Sequence, residues 1–103
     1  MPMTSKQRAQ LRGLAAAADT IIQVGKGGIN DNLIASVQQA LRARELVKGR
    51  VLENAMLTAR EACDALAAAC GAEPVQVIGT KFVLYKRHEK EPKIDLIKDK
   101  KKK

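Results

Sequence analysis

Four consecutive residues, Gly25-Lys26-Gly27-Gly28, form the stretch of this 103-residue chain best suited to holding an anion. Glycine has no Cβ, so a phosphate oxygen can come close to the main chain there. Successive backbone N–H groups can face one oxygen, and a helix beginning just beyond them adds the positive end of its dipole. Asn30 suits the start of that helix, because its side chain can accept from the first free amides. Lys26 sets a mobile cation at the tip. Asp31 acts in the opposite sense: an acid in the first turn suits the dipole but repels a phosphate.

G-x-x-G is also the spacing with which KH modules clamp backbone nucleotides. Other phosphate motifs fit less well. A P-loop needs G-x-x-x-x-G-K-[ST], and nothing here matches. In a dinucleotide fingerprint Gly25 and Gly27 fit and Glu45 stands at the distance of a ribose-binding acid. Asn30, however, occupies the third glycine position, and the chain is too short for the two halves of that fold. A tight strand-to-helix turn with no ligand explains the same glycines, so the residues alone leave the ligand open.

Charge narrows the choice. Nineteen Lys and Arg against eleven Asp and Glu give a net +8, with a pI near 9.8, which favours polyanionic partners. Residues 1–87 hold twelve of the cations and seven of the acids, so the excess does not lie in the C-terminal tail alone. Lys48 and Arg50 share a strand face, and Lys81, Lys86 and Arg87 flank the last hairpin. Singly these are solvated surface charges; together they make a surface able to follow phosphates. Phe82 and Tyr85, the only aromatics, are too few for a base-stacking platform.

Catalysis finds no support. His88 is the only histidine, no nucleophile pairs with a base, and Asp19, Glu45, Glu53 and Glu73 show no pairing by spacing. Cys63 and Cys70 lie seven apart on one expected helix, about 10.5 Å between Cα atoms. A disulfide needs under about 7 Å, so they read as small core residues in a reducing cytoplasm. Neither a metal site nor a cofactor nor a small-molecule substrate is expected, and no apolar run approaches the roughly 20 residues of a membrane span. Two rival readings remain: a protein-interaction adaptor whose basic face meets an acidic partner, and lipid attraction by Lys100–Lys103.

The elements that must position these residues follow from patterning. Thr4 and Gln7 have capping-box spacing and open a helix to about Ala18 or Asp19, with Leu11, Leu14, Ala15 and Ala18 on one face. Thr20–Val24 reads as a strand. Asn30 caps a helix with Leu33, Ile34, Val37 and Leu41 as its apolar stripe, closed by Arg42 and Arg44. Leu46–Leu52 is a strand with Val47 and Val51 opposite Lys48 and Arg50. Thr58 and Glu61 open a helix through Cys70, buried along Ala62, Cys63, Leu66 and Cys70, and Gly71 ends it. Val75–Ile78 and Phe82–Arg87 form a hairpin around Gly79. The order α-β-α-β-α-β-β implies an α/β (α+β) fold with a four-stranded mixed sheet, parallel across the helical crossovers and antiparallel in the last pair, its helices chiefly on one side. Residues 1–97 make one domain, and 98–103 a Lys-rich tail expected to be disordered.

Taken in order, Lys6-Gln7-Arg8, Leu11-Arg12-Gly13-Leu14, Val24 to Gly28, Glu45-Leu46-Val47-Lys48, Val77-Ile78-Gly79 and Val83-Leu84-Tyr85 resemble the CRM domain family (chloroplast RNA splicing and ribosome maturation), in its stand-alone bacterial YhbY-type form. The resemblance covers residues 4–97. It implies a KH-like RNA-binding module similar in fold to the C-terminal domain of bacterial translation initiation factor three. It also implies that Gly25, Lys26, Gly27 and Gly28 are the family's G-x-x-G, here following a strand rather than joining two helices. Bacterial members of the family associate with precursors of the large ribosomal subunit and plant members act in organelle intron splicing. The expected function is therefore non-enzymatic binding of ribosomal RNA in the cytoplasm, with a general RNA-binding factor not tied to the ribosome as the alternative. The Lys-rich end lies outside the family pattern.

Overall fold

The computed structural model describes residues 4–87; the Lys-rich tail and His88 lie outside them. Thr4 opens α1 (Ser5–Ala16) with a full capping box: its hydroxyl accepts from the Gln7 N–H, and the Gln7 side chain accepts from the Thr4 N–H. There follow β1 (Thr20–Val24), α2 (Asp31–Arg44), β2 (Leu46–Val51), α3 (Ala59–Cys70), β3 (Glu73–Ile78) and β4 (Lys81–Tyr85). Asn30 caps α2 by accepting from Leu33 N–H at 2.8 Å. Thr58 and Glu61 repeat the capping box at α3, which Gly71 ends in the left-handed conformation that glycine adopts without strain.

β2 ends one residue early, at Val51, and two other ends fall two or more residues short of expectation for local reasons. α1 stops at Ala16 because Ala17 and Ala18 N–H turn back to Leu14 and Ala15 in short-range bonds, and the Lys48 ammonium takes the Ala15 carbonyl at 3.1 Å. β4 stops at Tyr85 because its opposite residues on both sides, Leu46 and Glu73, begin their own strands there.

The sheet order is β1-β2-β4-β3. β1 and β2 run parallel across the α2 crossover, whereas β4 lies antiparallel between β2 and β3. α2 and α3 cover one face around a core that includes Val24, Val37, Val47, Leu66, Phe82 and Leu84. α1 covers the other, with Leu11 and Ala15 set on Leu46, Val75, Val83 and Tyr85. The period of two in β2 sends Val47 and Val51 into the main core and leaves Lys48 and Arg50 for the α1 side. α1 is alone on its face and buries only that narrow stripe. Leu14, expected inside, is 44% exposed.

Cys63 and Cys70 are free, as their spacing requires, and both are buried. Burial, helped by the Asp64 carboxylate, pushes the Cys63 thiol from 9.0 up to about 11. Between those values the folded chain keeps a proton that the unfolded chain has lost. The stability tied to that proton is complete below pH 9 and declines as pH rises towards 11. Urea midpoints should fall across that window, and fall less steeply in Cys63→Ala.

Candidate nucleic-acid interface

The glycine loop stands where β1 hands over to α2. Gly28 N–H closes a turn on the Gly25 carbonyl at 3.0 Å, and Gly28 has φ +66°, so that position calls for glycine. Among the described residues, the amides of Lys26 and Gly27 donate to no backbone carbonyl, and both residues are exposed. The turn therefore consumes one amide and leaves the two at its tip facing solvent. One contact departs from a bare cradle: a Cβ on Gly27 would stand 3.1 Å from Asn30 Nδ2. The loop tip and the cap of α2 thus share their space.

Two bonds fix what lies beside the loop. Leu52 N–H donates to the Val24 carbonyl and Val51 N–H to the Thr80 carbonyl, both at 2.8 Å. The end of β2 is held between the glycine loop on one side and the β3–β4 turn on the other. Gly25 itself packs near Leu52 and Asn54. An open hollow of about 680 Å³ lies at this end, lined by Arg50, Glu53, Asn54 and Thr80 among others.

Register then gathers the cations. Arg50 on β2 stands directly opposite Lys81 on β4, with Gln23 of β1 on its other side. Opposed residues in an antiparallel pair have Cβ atoms about 5 Å apart, and like charges there are unfavourable. Both side chains are exposed, so water screens the repulsion and a phosphate between them would relieve it. Lys48 is on the same face two residues back. It is half-buried, and one of its donors is committed to the end of α1. Lys48, Arg50 and Lys81 thus share one face of the sheet, and Lys26 stands at the same end of it.

Lys86 and Arg87 are elsewhere. They follow Tyr85, which pairs with Leu46 at the start of β2, five residues and about 16 Å from Val51. Lys86 Nζ donates to the Cys70 carbonyl at 2.9 Å. α3 has no basic residue in its last turn, and Lys86 supplies that charge from just beyond the end of β4. Arg87 is exposed at that far end.

Sequence reasoning named two further residues without showing where they would stand. Arg12 flanks the buried Leu11 and lines a cleft with Lys48 and Lys81; the pattern placed it on α1 but could not say which strands α1 would meet. Glu45 is fully buried at the C-cap of α2, with φ +64°. A buried carboxylate cannot reach a ribose in solution, so the structure closes the dinucleotide reading. Burial, and then the Glu45 carboxylate, push the Tyr85 hydroxyl above its ordinary range. Among the described residues, no group of three acids, cysteines or histidines is placed to hold a metal, and no helix is long and apolar enough to cross a membrane.

An exposed glycine turn stands beside opposed cations on a four-stranded mixed sheet, and comparison with known proteins gives this fold a family. Over 94 residues the chain is 42% identical to the Bacillus subtilis protein named "Probable RNA-binding protein YqeI", covering 91% of this chain and 98% of that one. It is 32% identical over 94 residues to a Haemophilus influenzae protein named "RNA-binding protein", covering 91% and 94%. The solution structure of the hypothetical protein SAV1595 from Staphylococcus aureus superposes with a TM-score of 0.77 at 41% identity. That match covers 93% of this chain and 100% of that one. The CRS1 / YhbY (CRM) domain matches residues 3–86, and the chain belongs to that family.

Proposed function

We propose that this protein is a non-enzymatic RNA-binding factor of the cytoplasm that acts on ribosomal RNA in precursors of the large subunit. The observation that carries the reading is the Arg50–Lys81 opposition beside the open tip of the glycine loop. The two free amides and Lys26 hold one stretch of sugar-phosphate backbone, and Arg50 and Lys81 hold the next. Lys48 supports them from the α1 side, and Lys86 and Arg87 widen the positive field from the far end. Phosphate contacts position RNA without reading its bases, so selectivity at these residues is low. The names of the relatives favour RNA over an acidic protein as the partner.

Sedimentation of a cell extract tests the ribosomal part. The protein should travel with large-subunit precursors and leave them after ribonuclease treatment. Unchanged capture of the same partners after ribonuclease would favour a protein adaptor instead.

Two variants test the loop. Lys26→Ala removes an exposed charge and should weaken single-stranded RNA binding about tenfold, the value of one charge-assisted contact, at unchanged melting temperature. Gly27→Asp brings a negative charge to the tip and should weaken binding further. Its Cβ also presses on Asn30, so a small loss of stability accompanies it.

A further inference from the structure

α1 does not lie flat over its face of the sheet. Beside Arg12, Ala15 and Ala16 a cleft of about 270 Å³ opens between the last turns of α1 and strands β2, β4 and β3. This lies just below the range of roughly 300–1,000 Å³ typical of sites for drug-sized molecules, a size suited to one planar group. Its walls are Ala15, Ala16, Ile78 and Val83. Ile78 is 62% exposed, an apolar side chain left on a rim otherwise cationic. Arg12, Lys48 and Lys81 stand around the mouth; among the described residues, Gln76 is the only uncharged polar side chain in the lining, and no acid lines it.

From this we infer that the cleft is a pocket for one unpaired nucleobase of the bound RNA; the inference rests on the RNA-binding reading above. Charge complementarity selects the occupant. Three cations without an acid suit a group that arrives with phosphates, and apolar walls suit a flat ring. Lys81 belongs both to the cleft and to the opposed pair with Arg50, so a strand held at the pair lies at the mouth of the cleft. The base enters between Ile78 and the Ala15–Ala16 end of α1. The Arg12 guanidinium offers a plane on which a base can stack, and the Gln76 amide offers a donor and an acceptor to its edge. Lys48 keeps its bond to the Ala15 carbonyl and has two further donors for a phosphate. Recognition of a splayed-out base supplies a selectivity that phosphate contacts lack.

The test compares two single-stranded RNAs of equal length, about twelve nucleotides to span an ordinary single-strand site: oligoadenylate and the same backbone without bases, both on the full-length protein. The wild-type protein should prefer the oligomer with bases about tenfold, the usual worth of one stacked base. Ala16 is exposed at the end of α1, so Ala16→Phe fills the cleft without entering the core. It should abolish the preference while the abasic oligomer binds as before, and Gln76→Leu should lower affinity for the oligomer with bases only. Equal wild-type affinity for the two oligomers, or a preference that survives Ala16→Phe, would overturn the pocket while leaving the phosphate grip intact. Failure of the wild type to bind either oligomer would overturn both.

Discussion

Lys81→Glu should weaken binding of single-stranded RNA roughly a hundredfold and, at the same time, make the free protein more stable. The substitution removes one cation and places an acid directly opposite Arg50, which ties up the second. Two charge-assisted hydrogen bonds to phosphate, at about 1.5 kcal/mol each, come to about 3 kcal/mol, or two decades in affinity. In the free protein a repulsive cross-strand pair becomes an attractive one, worth a few tenths of a kcal/mol to about 1 kcal/mol. The opposite signs make the prediction sharp. Most substitutions that abolish binding by damaging a fold lower stability, whereas here the melting temperature rises while affinity falls. Thermal unfolding and fluorescence anisotropy on the same preparation check both halves. A melting temperature that drops would show that the pair is not held as the register indicates.

Gly49→Ala should be the most damaging single methyl in the molecule. Gly49 sits mid-strand in β2, and a Cβ there would lie 2.6 Å from Phe82 Cζ, 2.9 Å from Phe82 Cε1 and 3.1 Å from Ile22 Cβ. Phe82 is 1% exposed and has nowhere to withdraw in a close-packed core. Overpacking of this kind costs about 2–3 kcal/mol, a fall in melting temperature of roughly 10–20 °C for a domain of this size. Phe82→Leu in the same chain should return part of that stability, because two changes sharing one space do not add. Glycine in a strand interior ordinarily weakens it; here it makes room for the ring that centres the main core.

These two positions also show what could be read from the chain and what could not. Period and caps were legible: Thr4, Asn30 and Thr58 begin the three helices, Gly71 ends the third, and the alternation through Val47 and Val51 put Lys48 and Arg50 on one face. Those signals are local, and the physics behind them acts within a turn or two of chain. Strand order is not local. That β4 inserts between β2 and β3, setting Lys81 across from Arg50 and carrying Lys86 to the end of α3, depends on pairings between segments far apart in the chain. Five cations with the same sequence signature therefore divide, with Lys48, Arg50 and Lys81 beside the glycine loop and Lys86 and Arg87 at the other end. Arg12 was hidden for the same reason. Glu45 was hidden for another: nothing in a single sequence marks an acid as buried when the chain turns through a positive φ to place it there.

The central claim is that phosphates are gripped at one end of the sheet by Lys26, Arg50 and Lys81, with Lys48 and the amides of the glycine loop in support. The salt dependence of binding to single-stranded RNA tests it most directly. About five phosphate contacts at roughly 0.7 each predict a log–log slope near −3.5, falling to about −2 in Lys81→Glu, where neither Lys81 nor Arg50 engages a phosphate. A slope near zero in the wild-type protein, or one that Lys81→Glu leaves unchanged, would contradict the account.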